Sequence, residues 1–150
     1  MKLSRRVLHH VAKPVDFRYP VKNQLLAEQM RSLMLKEQGI GLAATQIGIT
    51  QRVFVMQIAG VFRACFNPEI VESSDILVNY TEGCLSFLGD QCIITRPDWV
   101  KVKYQTHNGD VIEEQLQGLE ATCFQHELDH LNGITMWDRH KEQHAEQSGN

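Results

Sequence analysis

The chain has no run approaching the ~18 consecutive apolar residues of a membrane-spanning helix. Its basic start, Met1-Lys2-Leu3-Ser4-Arg5-Arg6, is not followed by an apolar core of about seven or more residues, which argues against secretion. The cysteines, Cys65, Cys84, Cys92 and Cys123, show no paired spacing. That argues against a disulfide framework and suits a reducing, cytoplasmic compartment. A net charge of −3 and pI near 6.1 lack the basic excess that nucleic-acid binding requires. There is no internal repeat, low-complexity block or interdomain linker. An apolar fraction of 43% and a charged fraction of 22% fit one globular domain over residues 1–150.

What the chain does have is His126-Glu127-Leu128-Asp129-His130. On a helix, residues four apart differ by about 40°, so both imidazoles project from one face, about 6 Å apart. Two such side chains can share one divalent cation, and Glu127 can reach an activated water beside it. The alternative is an exposed polar helix face. Leu119, Cys123, Leu128 and Leu131 predict a buried stripe instead, with Phe124 beside it and Gly133 as the stop, so the helix over 118–133 reads as central. Asp129 reads equally as a partner orienting a ligand histidine or as a surface carboxylate.

Two histidines leave a metal short of a ligand. One protease class supplies a third histidine after a glycine, but that position is Met136. Glu142, Glu146, His140 and His144 lie in a polar stretch, 138–150, expected to be loose. Cys84, in Glu82-Gly83-Cys84-Leu85-Ser86, is the better candidate, because a thiolate suits Zn²⁺ or Fe²⁺ and offsets one metal charge. Most of the other cysteines read as small buried hydrophobes.

Residues 20–38 predict the first helix, with Leu25, Leu26, Met30, Leu33 and Met34 at helical spacing and Gly39 ending it. Gly39-Ile40-Gly41-Leu42-Ala43-Ala44 matches a dinucleotide fingerprint by letter only. A helix precedes it rather than a strand, and residues 57–66 hold no acid. Residues 52–58 and 61–66 predict a hairpin turning at Ala59-Gly60, closed by Asn67-Pro68, with a new strand from Ile70. Residues 76–80, 93–95, 100–104 and 111–117 predict further strands, the last two joined at Asn108-Gly109. Residues 134–137 predict a last turn or strand.

Three segments, Gly39 to Gln46, Glu82 to Ser86 and His126 to His130, resemble the signature motifs of peptide deformylases, in that family's order and about its spacing. Val11 to Val15, Asn67-Pro68, Gln125 and Leu131-Asn132-Gly133 extend the resemblance from about residue 7 to about 137. It leaves no room for a removable leader. The resemblance implies an α+β fold, with antiparallel β-sheets around a central helix carrying the histidines. It implies removal of the N-formyl group from N-formylmethionyl peptides, with release of formate. Cys84, His126 and His130 would hold the metal, Fe²⁺ in the cell, with Zn²⁺, Ni²⁺ or Co²⁺ able to substitute. Glu127 would be the general base, and the Gln46 amide and Leu85 N–H would face the oxyanion. Ile40, Gly41 and Gly83 would pair with the peptide backbone, while Tyr80, Leu119 and Cys123 would line the methionine pocket. A cytoplasmic monomer acting on nascent chains is the expectation, with neither nucleic acid nor membrane as a direct partner. The short C-terminal region resembles that of bacteriophage-encoded forms, for which the host cytoplasm would be the compartment.

The chain departs from the family pattern at Leu88, where a proline is usual. It also departs at Gly89-Asp90-Gln91, where a basic residue is usual, and at Glu120, where the helix is usually apolar. Two rival readings are a zinc endopeptidase and a structural metal site. A structural site needs neither Gln46 nor Glu127.

Overall fold

The computed structural model describes residues 1–148; Gly149 and Asn150, the end of the expected loose tail, lie outside the described residues. The first helix, α1 (Pro20–Lys36), opens on a proline, whose missing N–H costs nothing in a first turn. Ala27, Met30, Leu33 and Met34 form its buried face, whereas Leu25 points to solvent. Gln38, at φ 60°, ends the helix in the left-handed region, before Gly39.

Strands β1 (Gly41–Ala43), β2 (Val53–Ile58), β3 (Val61–Ser73), β6 (Trp99–Gln105) and β7 (Val111–Gln117) form one antiparallel sheet in the order β1-β2-β3-β6-β7. β4 (Leu77–Gly83) and β5 (Gln91–Pro97) form a second, two-stranded sheet. Helix α2 (Leu119–Leu131) and helix α3 (Met136–Ser148) complete the chain.

β2 shows why the core sits where it does. Successive side chains alternate across a strand, and Val53-Phe54-Val55-Met56 is buried on both faces. Val53 and Val55 join the cluster under α1 with Met30, Met34 and Leu42. Phe54 and Met56 join the cluster under α2 with Phe124 and Leu131. Phe54 and Phe124 meet edge to face, with centroids 5.0 Å apart. The large sheet is therefore sandwiched between α1 and the metal-motif helix, as expected for an α+β fold with that helix central.

The β2–β3 hairpin turns at Ala59 and Gly60, both at positive φ (52° and 78°), as a two-residue turn of matching twist requires. Asn67-Pro68 does not end the strand as expected. It forms a bulge between Phe66 and Glu69, with Asn67 at φ 49°, and β3 runs on to Ser73. The Asn67 side chain holds the bulge by accepting from Val15 N–H (2.8 Å) and donating to Val15 O (3.0 Å). A non-hydrogen-bonding proline is tolerated at such a site.

Two further expectations are corrected. Leu119, placed in the buried stripe, is 46% exposed: it is the first residue of α2, ahead of the buried stretch that begins at Ala121. Its neighbour Glu120 is an ion-pair partner of Arg63 on β3, which explains the acid in place of an apolar residue. The stretch from Asp138 is not loose: residues 136–148 form α3. Thr135 N–H donates to Asp138 Oδ2 (2.8 Å) and Asp138 N–H to Thr135 Oγ1 (3.2 Å), a reciprocal helix cap. Gln143 exchanges two 2.9 Å hydrogen bonds with the Thr95 backbone and so binds α3 to β5. Polar composition suggested a frayed tail; those polar groups instead find protein partners.

Candidate metal centre

α2 is buried nearly all round, and His126, Glu127, Asp129 and His130 are all inside. Apolar neighbours drive this burial, so each polar group must find a partner. The His126 and His130 rings are 5.0 Å apart, as their four-residue spacing dictates. Cys84 follows β4 directly, and its Sγ lies 3.4 Å from His130 Nε2. One ligand atom each from Cys84, His126 and His130 lies within 4.8 Å of the others. Tetrahedral ligands at bond lengths of about 2.0–2.3 Å sit about 3.5 Å apart, so a modest closure of this trio holds one divalent ion. His126 Nδ1 is engaged by Glu82, which leaves Nε2 for a metal. One thiolate and two imidazoles form a borderline-soft donor set that fits Fe²⁺ or Zn²⁺.

A chain of charges lies behind His126. Glu82 Oε1 is 2.8 Å from His126 Nδ1, and Arg96 forks onto Glu82 at 2.6 and 3.0 Å. Arg96 also donates to Asp129 Oδ2 (2.9 Å), and Arg139 of α3 forks onto Asp129 at 3.0 and 2.8 Å. Asp129 thus bonds two arginines rather than a histidine, and Glu82 is the histidine's partner. Glu82 was not legible from spacing, since it lies on another element. Arg96 carries a signal: it is in phase with the inward-facing Cys92 and Ile94 on β5, and an inward cation needs a buried anion.

Protonation follows from these contacts. Burial opposes charge on His126, but the Cys84 sulfur and the Glu82 carboxylate outweigh it and hold the metal-free pKa up at about 10. Burial, followed by the nearby His126 and Arg96 charges, pushes His130 well below its usual value. Burial raises Glu127 to about 7 despite the attraction of His126. Glu82 is held below the usual carboxylate range because His126 and Arg96 outweigh its burial. A carboxylate near 7 is poised to take and return a proton at neutral pH.

The 3₁₀ turn Ala44–Ile47 places Gln46, 1% exposed, behind the centre. Its Oε1 accepts from Ala43 N–H (2.9 Å), and its Nε2 donates to Ser86 Oγ (3.0 Å) and reaches Cys84 Sγ at 3.5 Å. The amide N–H groups therefore aim at the cysteine side of the site. Ser86 was missed as the residue that orients Gln46. Gly41 has a steric reason to be glycine: a Cβ there would collide with Glu127 Oε2 and Cys123 Sγ.

A cleft of about 420 Å³ opens onto this group. Gln46, Cys84, His126 and Glu127 form its chemical floor, with Ile40, Gly41, Gly83 and Leu85 beside them. The departures from the family pattern, Leu88 to Gln91, lie on its rim with Glu37 and Gln38. Tyr80, Leu119 and Cys123 stand outside this lining. Cys123 is buried behind Gly41, with its Sγ 3.8 Å from Ile40 O, and Tyr80 stands beside Gly118 at the start of α2. His140 and His144 stack 3.9 Å apart on α3, away from the trio.

Comparison with known proteins agrees with the geometry. Residues 1–146 match the family model described as polypeptide deformylase. Peptide deformylase of Thermotoga neapolitana is 46% identical over 136 residues, covering 90% of this chain and 82% of that protein. Peptide deformylase of Chromobacterium violaceum is 45% identical over 135 residues, 88% of this chain and 80% of that protein. The crystal structure of peptide deformylase from Thermotoga maritima superposes with a TM-score of 0.87 at 42% identity, covering 92% of this chain and 95% of the other. A Met-Ala-Ser-bound class I type b peptide deformylase from Acinetobacter baumannii gives 0.88 at 33% identity, covering 93% and 97%. With its three motif segments converging on one cleft and its similarity running almost end to end, this chain belongs to the polypeptide deformylase family.

Proposed function

We propose that this protein removes the formyl group from N-formylmethionyl peptides by metal-dependent hydrolysis, releasing formate. The observation that carries the reading is Glu127. It is buried, lines the cleft beside the Cys84–His126–His130 trio, and its Oε1 has no hydrogen-bond partner among the described residues. Leaving a buried carboxylate oxygen unpaired costs stability, and a proton-transfer role accounts for it.

Cys84, His126 and His130 would hold the metal, which when bound would acidify water and polarise the formyl carbonyl. Fe²⁺ is the ion in the cell, and Zn²⁺, Ni²⁺ or Co²⁺ can replace it, in keeping with the mixed sulfur and nitrogen donors. Glu127 takes the proton of the attacking water and returns it to the leaving amine, leaving formate and a free methionyl N-terminus. The Gln46 amide has its oxygen pinned by Ala43 and one N–H held by Ser86 Oγ, so the N–H on the Cys84 side is the one left for the developing oxyanion. Leu85 opens the 3₁₀ turn Leu85–Phe87, whose first N–H groups lack acceptors within the turn, and adds a second donor. One such donor is worth about 3 kcal/mol of barrier.

The peptide lies in the cleft as an added strand. Among the described residues β1 pairs only with β2 and β4 only with β5, so each has a free edge. Gly41 opens β1, Ile40 precedes it and Gly83 ends β4; all three line the cleft, which supports a role for their backbone groups in pairing with the peptide. The methionine side chain is assigned to Tyr80, Leu119 and Cys123 by the family resemblance alone, since these residues lie outside the cleft lining. All of these residues come from one chain, which favours a monomeric catalyst. Among the described residues no helix is long and apolar enough to cross a membrane. Four free thiols favour a reducing cytoplasm, where nascent formylated chains are the substrate.

The test is formate release from a formyl-Met tripeptide, using protein loaded anaerobically with Fe²⁺ or Ni²⁺. Release that is abolished by chelation and by Glu127→Ala supports the reading. Cleavage of internal peptide bonds without formate release would replace it with an endopeptidase.

A further inference from the structure

Helix α3 carries two histidines that the catalytic reading does not use. His140 and His144 stand four residues apart, so both project from one face of the helix. Their ring centroids are 3.9 Å apart with the planes tilted by 34°, against 5.0 Å for His126 and His130. Trp137, about one turn earlier, meets the His140 ring edge-on at 5.7 Å. His144 is exposed and His140 half-buried, so solvent reaches the pair.

The contacts of one nitrogen decide what the other presents. His140 Nδ1 lies 3.5 Å from Ile93 O on β5, and His144 Nδ1 lies 2.9 Å from His140 O. A carbonyl oxygen only accepts, so each Nδ1 carries the proton and donates it. In a neutral imidazole the lone pair is then on Nε2. Metal-binding histidines follow this pattern: one nitrogen donates to a carbonyl or carboxylate and the other faces the ion. His126, whose Nδ1 is engaged by Glu82, is oriented in the same way.

From this arrangement we infer that His140 and His144 form a second divalent-metal site, on the surface of α3 and separate from the Cys84–His126–His130 centre, that staples one turn of the helix. Two imidazoles without a sulfur suit Ni²⁺, Cu²⁺ or Zn²⁺. Among the described residues only Cys84, His126 and His130 form a group of three ligands, so at α3 water completes the coordination. The α3 site is therefore the weaker one and fills second. An ion that binds the folded turn and not the opened one favours the helix by mass action. α3 is also the element whose Arg139 grips Asp129 and whose Gln143 bonds Thr95, so the staple steadies those contacts.

The experiment loads the full-length protein with one equivalent of Ni²⁺, removes unbound metal, and titrates further Ni²⁺ by calorimetry. The wild type takes up a second equivalent. His140→Gln and His144→Gln each abolish it, while keeping the first equivalent and wild-type circular dichroism. Amide exchange is the independent readout. With Ni²⁺ at about ten times the Kd of the second site, exchange across α3 slows about tenfold in the wild type and stays unchanged in the variants. A wild type that takes no second equivalent overturns the inference. So does a second equivalent that survives either substitution, or one that leaves the exchange of α3 as it was.

Discussion

Glu82 Oε1 lies 2.8 Å from His126 Nδ1, within a carboxylate that Arg96 also grips at 2.6 and 3.0 Å. Glu82 therefore sets the tautomer and ring plane of a metal ligand while its own charge is balanced from behind. Replacing it with Gln keeps the shape but removes the charge. Glu82→Gln should lower metal affinity by about 10–100-fold. A chelator-competition titration measures this, and unchanged affinity would mean that Glu82 serves only to neutralise Arg96.

Gly41 gives Glu127 its room. Gly41→Ala forces the Glu127 carboxylate and the Cys123 thiol aside. A displacement of about 1 Å in a proton-transfer group costs about 100-fold in rate. kcat/KM should fall by about that factor while circular dichroism and metal content stay close to wild type. Wild-type kinetics would show that the carboxylate relaxes freely.

Arg139 links α3 to the charges behind the site through its fork onto Asp129. Arg139→Ala leaves Asp129 with Arg96 alone and removes an anchor of α3. The site is partly exposed, so the expected loss is about 1 kcal/mol of global stability, read as a lower urea midpoint. Amide exchange should speed up across residues 136–148 before the rest of the chain. Uniform exchange would show that Gln143 and Met136 hold the helix unaided.

The metal-free protein should become less stable as pH rises. Glu127 has a pKa near 7 in the folded chain against 4.5 for an ordinary glutamate, so the folded state holds its proton more tightly. That contribution is complete below about 4.5 and is lost as pH climbs to about 7. His126, near 10 against 6.5, acts in the same direction and loses its contribution between those values. Below about pH 6.5 the depressed His130 opposes this trend, so thermal midpoints of chelated protein should decline clearly from pH 7 to pH 9. A bound metal displaces the His126 proton, so the loaded form should show a much smaller decline over that range.

The elements legible from the sequence are those whose evidence is local. α1 and α2 declare themselves through helical spacing of apolar residues, and the β2–β3 turn through Ala59-Gly60. β7 matches the expected 111–117 because turn signals bound it on both sides. The break expected at Asn67-Pro68 was misplaced. Proline ends a strand only where its missing N–H is needed, and here a bulge, pinned from Val15, makes that donor unnecessary. α3 was missed because its stabilising contacts, Gln143 to Thr95 and Arg139 to Asp129, reach residues tens of positions away or on another helix.

The same division holds for the site. The sequence by itself determined that His126 and His130 share a helix face with Glu127 between them, because 3.6 residues per turn leaves no other outcome on a helix. Resemblance added Cys84 and Gln46 from distant segments. Only the tertiary structure decided that Glu82, not Asp129, steadies His126, and that Ser86 and Ala43 aim Gln46. It alone brings Glu37 and Asp90 to the rim of the cleft. The physical reason is that such side-chain directions depend on how separate strands and helices pack. Spacing along one element carries no information about a partner supplied by another.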